Sequence, residues 1–394
     1  MEKQKHSKKK SLGILYMGTF PPRECGIATF TRDLTNAMDK KFSPIIKSRI
    51  LAMNDNSTAT YNYPKNVLLN ISDDNISEYI DTAKKINKMD SIKLVNIQHE
   101  FGIFGGQCKD YLNAFLDTIN KPVVITFHSI LPEPDSKLKK VVQCLAKKSS
   151  CLVVMTKNAV EILRNDYGIK TPIEVIPHGI PTVSFGSNAK EKKKIGYKNN
   201  IILLTFGMLN AGKGCEYVID ALPKLTKKFS NLLYLIVGET HPIVRQNEGE
   251  KYRNFLKNKV KELGLQKNVK FYNKYVKLSE IVQYLKAADI YICSNNDPYQ
   301  AVSGTLAYAM GCGRAVISTP FVHAIEAVNP KRGILVEFNN PHSFENAIMK
   351  LLSDPKLKEK MERNAYSYTR HMTWPNIALS NIKVFNKYAG LPKI

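Results

Sequence analysis

DPYQAVSGTLAYAMGCGRAVIST, residues 297–319, reads as a polar loop, a short helix opened by glycine, a Gly-rich turn and a buried strand. Ser303 is a good N-cap, since its hydroxyl can accept from a first-turn amide. The helix is expected over 304–310, with Gly311 and Gly313 closing it before the apolar strand 315–318. The first turn of a helix leaves its amides unsatisfied and carries partial positive charge, so Gly304, Thr305 and Leu306 are placed to bind an anion. Leu306, Ala309 and Met310 are expected to pack inward, with Gln300 and Tyr308 flanking a ligand. The same pattern also suits an ordinary helix of an α/β domain whose glycines serve close packing alone.

Working outward, short apolar runs alternate with helical patterns along nearly the whole chain. Strands are expected at 12–17, 45–53, 67–70, 92–97, 123–127, 152–155 and 173–176, and again at 201–206, 232–237, 269–272, 290–293, 315–318 and 334–336. Apolar runs of this kind, separated by helical stretches such as 216–229, indicate parallel strands buried on both faces by helices. The expected fold class is α/β, with two doubly wound Rossmann-like sheets. Pro, Gly, Ser and Lys cluster near 181–200, which marks the expected linker. The expected segments are a basic tail 1–11, a first domain 12–185, a second domain 186–372 and a terminal segment 373–394. In the last, Ala378, Ile382, Phe385 and Ala389 recur at helical spacing after Trp374-Pro375.

The chain has 394 residues, 43% of them hydrophobic and 23% charged, in line with two globular domains. No apolar run reaches the length of about 18 residues needed to span a membrane, and the apolar stretch after the basic start is too short for a secretory signal. A cytoplasmic location is expected. Cys25, Cys108, Cys144, Cys151, Cys215, Cys293 and Cys312 show no CxxC pair and no ligand spacing with histidine, so they read as reduced thiols with no structural zinc. The net charge of +24, dense at Lys8 to Lys10 and at Lys190 to Lys194, suits an anionic membrane surface or a phosphorylated small molecule, or simply lysine-rich solvated faces. No zinc-finger spacing, RNP-type strand or basic zipper accompanies it, and nucleic acid is not an expected partner.

Three constellations carry chemistry. In GTFPPRECGIATFTRDL a strand runs into a Gly- and Pro-rich loop and then a helix from about residue 27; Gly26 there lets backbone approach a phosphate or sugar. It lacks the G-x-G-x-x-G dinucleotide fingerprint. In FGMLNAGKGCEYVIDAL, Lys213 stands between Gly212 and Gly214 at the mouth of the second sheet, where it can neutralise a departing phosphate or act as a solvated turn lysine. This stretch lacks the spacing of a Walker A loop. His99, His128 and His178 each follow an apolar strand and so share the rim of the first sheet with Gly26. Glu100 can act as a carboxylate there or as an ion-paired loop residue.

With TFHS, MTKNAVEILRNDYGI, VIPHGI, LLYLIVGE, VKFYNKYVKLSEIVQYLKAADIYI and AYAMGCGRAVIS in this order, the chain resembles the retaining glycosyltransferases of family 4 from about residue 12 to 388. The resemblance implies the GT-B fold: two Rossmann-like domains, a cleft between them and a C-terminal helix crossing back. It also implies transfer of a hexosyl group from a nucleotide sugar or sugar phosphate to a carbohydrate or lipid-linked acceptor, with no cofactor and no metal.

By the same resemblance, Gly26 approaches the donor phosphates, and His128 contacts the donor sugar near the reacting centre. Lys213 stabilises the departing diphosphate, and the amides near Ser303, Gly304 and Thr305 bind the same phosphates. His99, Glu100 and His178 are the acceptor-side candidates. The family's two glutamates, separated by seven intervening residues, fall on Gln300 and Tyr308. Gln300 can still hydrogen-bond sugar hydroxyls, whereas Tyr308 cannot replace a bidentate carboxylate on a ribose diol. Met208 stands where many members carry an arginine on the diphosphate. Asp297 is a candidate for the missing carboxylate or for a turn, and Arg314 is a candidate compensating cation. These departures keep two rivals in view: a glycoside phosphorylase or sugar-1-phosphate-dependent transferase, and a non-catalytic carbohydrate-binding protein of the same fold. The basic N-terminus suits peripheral contact with an anionic membrane.

Overall fold

A computed structural model describes residues 11–55, 61–106 and 110–391. Lys8 to Lys10, most of the expected basic tail and Cys108 lie outside the described residues. The chain divides into two compact units, one running to Gly179 and resuming at Trp374, the other spanning Ile180–Thr373.

Among the described residues the first unit holds seven strands: β1 (Leu12–Gly18), β2 (Ile46–Asn54), β3 (Val67–Ser72), β4 (Ile92–His99), β5 (Val123–Phe127), β6 (Cys151–Val154) and β7 (Ile173–Val175). Their order is β3-β2-β1-β4-β5-β6-β7 and every pairing is parallel. Runs such as Leu15, Met17, Val95, Ile97, Ile125 and Phe127 form one core with helix residues Tyr79, Leu112, Phe115, Leu145 and Leu163. The helix Gly26–Phe42 is opened by Cys25, whose thiol accepts from the Ala28 amide at 3.2 Å. The helix Trp374–Ala389 carries Pro375 in its first turn, where the missing N–H costs nothing. It packs on the helix Gly26–Phe42 and on β4, with Phe385 edge-on to Tyr16 at 6.3 Å and Trp374 beside Phe30 at 5.3 Å. Gly179 is needed for that packing, since a Cβ there would lie 2.3 Å from the Trp374 ring.

The second unit holds β8 (Ile201–Phe206), β9 (Leu232–Val237), β10 (Val269–Tyr272), β11 (Ile290–Cys293), β12 (Ala315–Ser318) and β13 (Gly333–Leu335), ordered β10-β9-β8-β11-β12-β13 and again all parallel. Two apolar layers cover its faces. The order in which strands are added reverses once in each sheet, between β1 and β4 and between β8 and β11, and ligands of such folds bind outside the strand ends at that point.

Every strand run read from the sequence is present, with ends shifted by at most two residues. One extension matters for the site: β4 continues through Gln98 and His99, which pair with Thr126 and Phe127. The expected linker at 181–200 is corrected. The stretch is built into the second unit: Arg314 donates to the Gly186 carbonyl at 3.2 Å, Asn188 donates to Asp289 at 2.7 Å, and a short helix forms over Ala189–Lys194. Its composition marks irregular backbone, not a passage between bodies. Lys192 in this cluster is buried against Asp289 at 2.6 Å and Lys194 pairs with Glu191, so only part of this positive charge is offered to solvent. Among the described residues no helix is long and apolar enough to cross a membrane.

Candidate functional site

At the β8/β11 reversal, two loops are tied together backbone to backbone. The Asn296 amide donates to the Gly212 carbonyl at 2.9 Å, and the Ser294 hydroxyl donates to the Lys213 carbonyl at 2.7 Å. The approach is close enough that a Cβ on Gly214, which sits at φ +57°, would lie 2.3 Å from the Ser294 carbonyl oxygen. This pins Lys213, which is half-buried, over the strand ends. A Cβ placed on Gly207, the residue after β8, would lie 3.6 Å from Lys213 Nζ and 3.5 Å from Thr305 Cγ2. The ammonium and the first turn of the helix Gly304–Gly311 therefore border the same small space.

Ser303 caps that helix, its Oγ accepting from the Leu306 amide at 3.3 Å, while its own N–H is spent on His323 Nδ1 at 2.8 Å. Of the amides expected to bind an anion, those of Ser303 and Leu306 are thus committed. The amides of Gly304 and Thr305 lie in the first turn, where no intrahelical acceptor exists. On the other flank, the loop after β9 is stitched to the loop after β8 by Leu209 N–H to Glu239 O at 2.8 Å and His241 N–H to Leu209 O at 3.0 Å. Burial, with the Lys213 charge beside it, holds His241 below the ordinary imidazole range, and its Nδ1 has no hydrogen-bond partner among the described residues.

Gln300 is engaged at both ends of its carboxamide: Nε2 donates to the Val302 carbonyl at 2.9 Å and Oε1 accepts from Asn295 Nδ2 at 2.7 Å. Asn295 Oδ1 in turn faces Lys213 Nζ at 3.5 Å. Gln300 thus belongs to a chain of amides that ends on Lys213, and its second N–H and second lone pair are left for the expected sugar contact. Asp297 is exposed and its Oδ1 accepts the Tyr299 amide at 2.9 Å, so the turn role prevails for that oxygen. Tyr308 does not flank an open site; it is 7% exposed and packs in the apolar layer with Leu306 and Met310, because the helix is buried on every side from Leu306 to Gly311. Arg314 is corrected too. Its guanidinium is buried and donates to the carbonyls of Cys312, Ala288, Lys286 and Gly186, which leaves it no reach to a phosphate. Met208 remains half-buried beside Gly207.

In the first unit, Gly26 opens its helix from an exposed position, and a Cβ there would meet no atom within 4 Å. Backbone at this point is open to a ligand. His128 follows β5, its Nε2 paired with Gln98 Oε1 at 2.9 Å and its ring edge-on to Phe30 at 4.7 Å; burial and the neighbouring His178 and His99 push its pKa down to about 3. His99 is corrected as an acceptor contact. As the last residue of the extended β4 it is fully buried between Phe101, Phe104 and Phe127, where desolvation lowers its pKa to about 3. Glu100 is held by Ser129 Oγ at 2.6 Å and by the Phe101 amide at 3.0 Å, and burial raises its pKa. It is hydrogen-bonded here where an ion pair was the alternative. His178 Nδ1 donates to the Gly179 carbonyl at 2.8 Å, and burial lowers its pKa to about 4.

Asn295, His241, Asn96 and Gln98 were not singled out by sequence. Gln98 and Asn295 are polar residues at or just past the end of an apolar strand, a position that strand-end reasoning would have flagged had it been applied to every strand, whereas Asn96 lies inside β4 and His241 in the loop after β9. Among the described residues no group of three or more His, Cys, Asp or Glu side chains is placed to hold a metal ion. Cys25, Cys144, Cys151, Cys215, Cys293 and Cys312 are unpaired thiols.

A family model for glycosyl transferases group 1 matches residues 187–368, which takes in Lys213, Asn295, Gln300 and the helix Gly304–Gly311. Residues 187–368, less than half of the chain, are thus similar to a glycosyl transferases group 1 domain. The group 1 domain is accompanied by likeness outside it. An uncharacterized glycosyltransferase of Methanocaldococcus jannaschii is 26% identical over 257 residues, 63% of this chain and 61% of that protein. The matched stretch thus spans about three-fifths of that relative's length. Sucrose-phosphate synthase from Thermosynechococcus elongatus superposes with a TM-score of 0.77 at 17% identity, covering 95% of this chain and 98% of that one. Anabaena HepE, solved in complex with UDP-glucose, gives 0.72 at 16% identity, covering 95% and 100%. The group 1 domain and the first unit each have the Rossmann-like architecture of GT-B glycosyltransferases.

Proposed function

We propose that this chain is a retaining, metal-independent glycosyltransferase that moves a hexosyl group from a nucleotide sugar to a carbohydrate or lipid-linked acceptor. The observation that carries this reading is the convergence of Lys213 Nζ, Gly207 and the first turn of the helix Gly304–Gly311 at the strand reversal of the group 1 domain. A diphosphate leaving group gains negative charge as the glycosidic bond breaks. A fixed ammonium and two unsatisfied amides stabilise that charge without reorganising. The UDP-glucose complex of HepE and the group 1 family support a nucleotide-sugar donor.

In this reading Lys213 binds the donor phosphates, Gly304 and Thr305 donate backbone N–H groups to them, and Asn295 and Gln300 hold Lys213 in place. On the first unit, Gly26 offers open backbone to the ligand, His128 faces a sugar hydroxyl, and Glu100 and His178 are the acceptor-side candidates. Lys213→Ala should lower turnover about 100-fold to 1000-fold, the loss typical of one transition-state donor, with circular dichroism and melting unchanged. An unaltered rate would remove the leaving-group role.

A second reading, a glycoside phosphorylase or a transferase using a sugar 1-phosphate, is favoured by one observation: Tyr308 is in the core and Met208 supplies no guanidinium, so no side chain at either family position is set for ribose or a second phosphate. Calorimetry with UDP, GDP and sugar 1-phosphates separates the two. Binding of the sugar phosphate alone selects the phosphorylase, and binding without turnover on any donor and acceptor selects a carbohydrate-binding role. Peripheral attachment to an anionic membrane is tested by liposome sedimentation at low and high salt.

A further inference from the structure

The carboxyl ends of β4 and β5 hold a chain of buried amides that the proposed reaction does not by itself require. Asn96 and Gln98 are fully buried, and Thr126 and His128 nearly so. Asn96 Nδ2 donates to the Val124 carbonyl at 3.1 Å and to Thr126 Oγ at 3.1 Å. Gln98 Nε2 donates to Asn96 Oδ1 at 2.5 Å, and Gln98 Oε1 meets His128 Nε2 at 2.9 Å.

The direction of this chain is fixed at one end. A backbone carbonyl can only accept, so the atom of Asn96 that faces Val124 O is its NH2. Its Oδ1 must then point to Gln98, which answers with its own NH2 and turns Oε1 towards His128. An amide oxygen can only accept, so His128 Nε2 carries the proton. One immovable carbonyl thus sets a tautomer three side chains away. The other ring nitrogen, Nδ1, makes no hydrogen bond among the described residues, and as the deprotonated nitrogen of a neutral ring it can only accept.

We propose that Asn96 and Gln98 are positioning residues that hold His128 in the Nε2–H tautomer, so that the ring presents Nδ1 as an uncharged acceptor to a sugar hydroxyl. The burial that keeps the imidazole neutral well below pH 7 has a chemical consequence: His128 is no general acid, and it recognises an O–H donor in preference to a phosphate oxygen. The sugar part of the inference rests on the function proposed above; the tautomer does not.

Long-range proton–nitrogen correlation spectra of the full chain labelled with nitrogen-15 in histidine report the tautomer directly. His128 is assigned by its loss in His128→Phe. The expected spectrum at pH 7 has the Nε2–H pattern for His128, and Gln98→Leu is expected to release the ring to mixed tautomers. An Nδ1–H pattern in the wild-type chain overturns the inference, and this needs no variant of Gln98 to fold. A Gln98→Leu variant that folds and keeps the wild-type pattern overturns it equally. For the hydroxyl, one monodeoxy donor is expected to bind the wild-type chain about tenfold more weakly than the parent sugar, a ratio that falls to about one in Gln98→Leu. An equal ratio in both proteins defeats the recognition role. Failure of every sugar to bind, with the Nε2–H pattern present, defeats the proposed function and leaves the tautomer relay standing.

Discussion

Asn295 and Gln300 are joined head to tail, the Nδ2 of one donating to the Oε1 of the other at 2.7 Å, and the far end of Gln300 is anchored on the Val302 carbonyl. The residue that departs from the family pattern is thus a structural link to Lys213. A carboxylate at position 300 could not donate to Val302, and it would place a negative charge near the ammonium proposed to hold the donor phosphates. Gln300→Glu should therefore weaken nucleotide diphosphate binding and lower kcat/KM about tenfold. If position 300 instead served the sugar hydroxyls directly, restoring the family's usual glutamate should hold or raise activity. Titration calorimetry with UDP and GDP, alongside initial rates, tells the two apart.

Two glycines should respond in opposite ways. Gly214 sits at φ +57° with the Ser294 carbonyl 2.3 Å from where a Cβ would go, so Gly214→Ala should cost at least about 2 kcal/mol by urea unfolding. Gly26 has open space at the same position and no positive φ. Gly26→Ala should melt like the parent chain yet lose ligand affinity, because the added methyl occupies room reserved for substrate. Unimpaired binding in Gly26→Ala would show that the space is unused.

The three buried histidines of the first unit make stability depend on pH. Their folded pKa values, about 3 for His99 and His128 and about 4 for His178, lie below the ordinary 6.5. Unfolded chains take up these protons first. The associated stability is complete above about pH 6.5 and is lost as pH falls towards the folded values, at about 1.4 kcal/mol per pH unit for each histidine. Glu100, raised by burial, acts in the opposite sense. Urea unfolding between pH 5 and pH 8 should show the loss on acidification, and His99→Phe should flatten the slope by one histidine. An identical slope in the variant would place the pH dependence elsewhere.

Arg314 offers a separate check on the group 1 domain. Its guanidinium satisfies the carbonyls of Cys312, Ala288 and Gly186 from a site 2% exposed. Arg314→Ala leaves those acceptors buried without donors and should destabilise the protein by on the order of 3 kcal/mol. Diphosphate affinity, measured below the melting transition, should not move. A selective loss of affinity would return Arg314 to the ligand site.

The strands were legible because a parallel strand buried on both faces is a short unbroken apolar run, a signal carried within four to eight residues. Ser303 and the helix it caps were legible for the same local reason. The roles of Gln300, Tyr308, Arg314 and His99 were not, since each depends on a partner distant in sequence or on where an element stops. His99 is buried because β4 runs two residues past its apolar run to pair with Thr126 and Phe127, and no local pattern marks that extension. Arg314 is neutralised as a ligand candidate by carbonyls from a stretch more than 120 residues earlier, at Gly186. Likeness to a family pointed to the candidate site, but the directions of its amides came only from the three-dimensional network.

The first unit is completed by residues made after the whole of the second. Trp374, Ile377, Ile382 and Phe385 cover the helix Gly26–Phe42 and β4, yet residues 180–373 must be synthesised before they emerge. At ribosomal speed that delay lasts on the order of 10 to 40 s. Throughout it, Tyr16 and Phe30 lack their final apolar neighbours, so the nascent chain offers chaperones a defined client surface that vanishes when the helix Trp374–Ala389 emerges and docks.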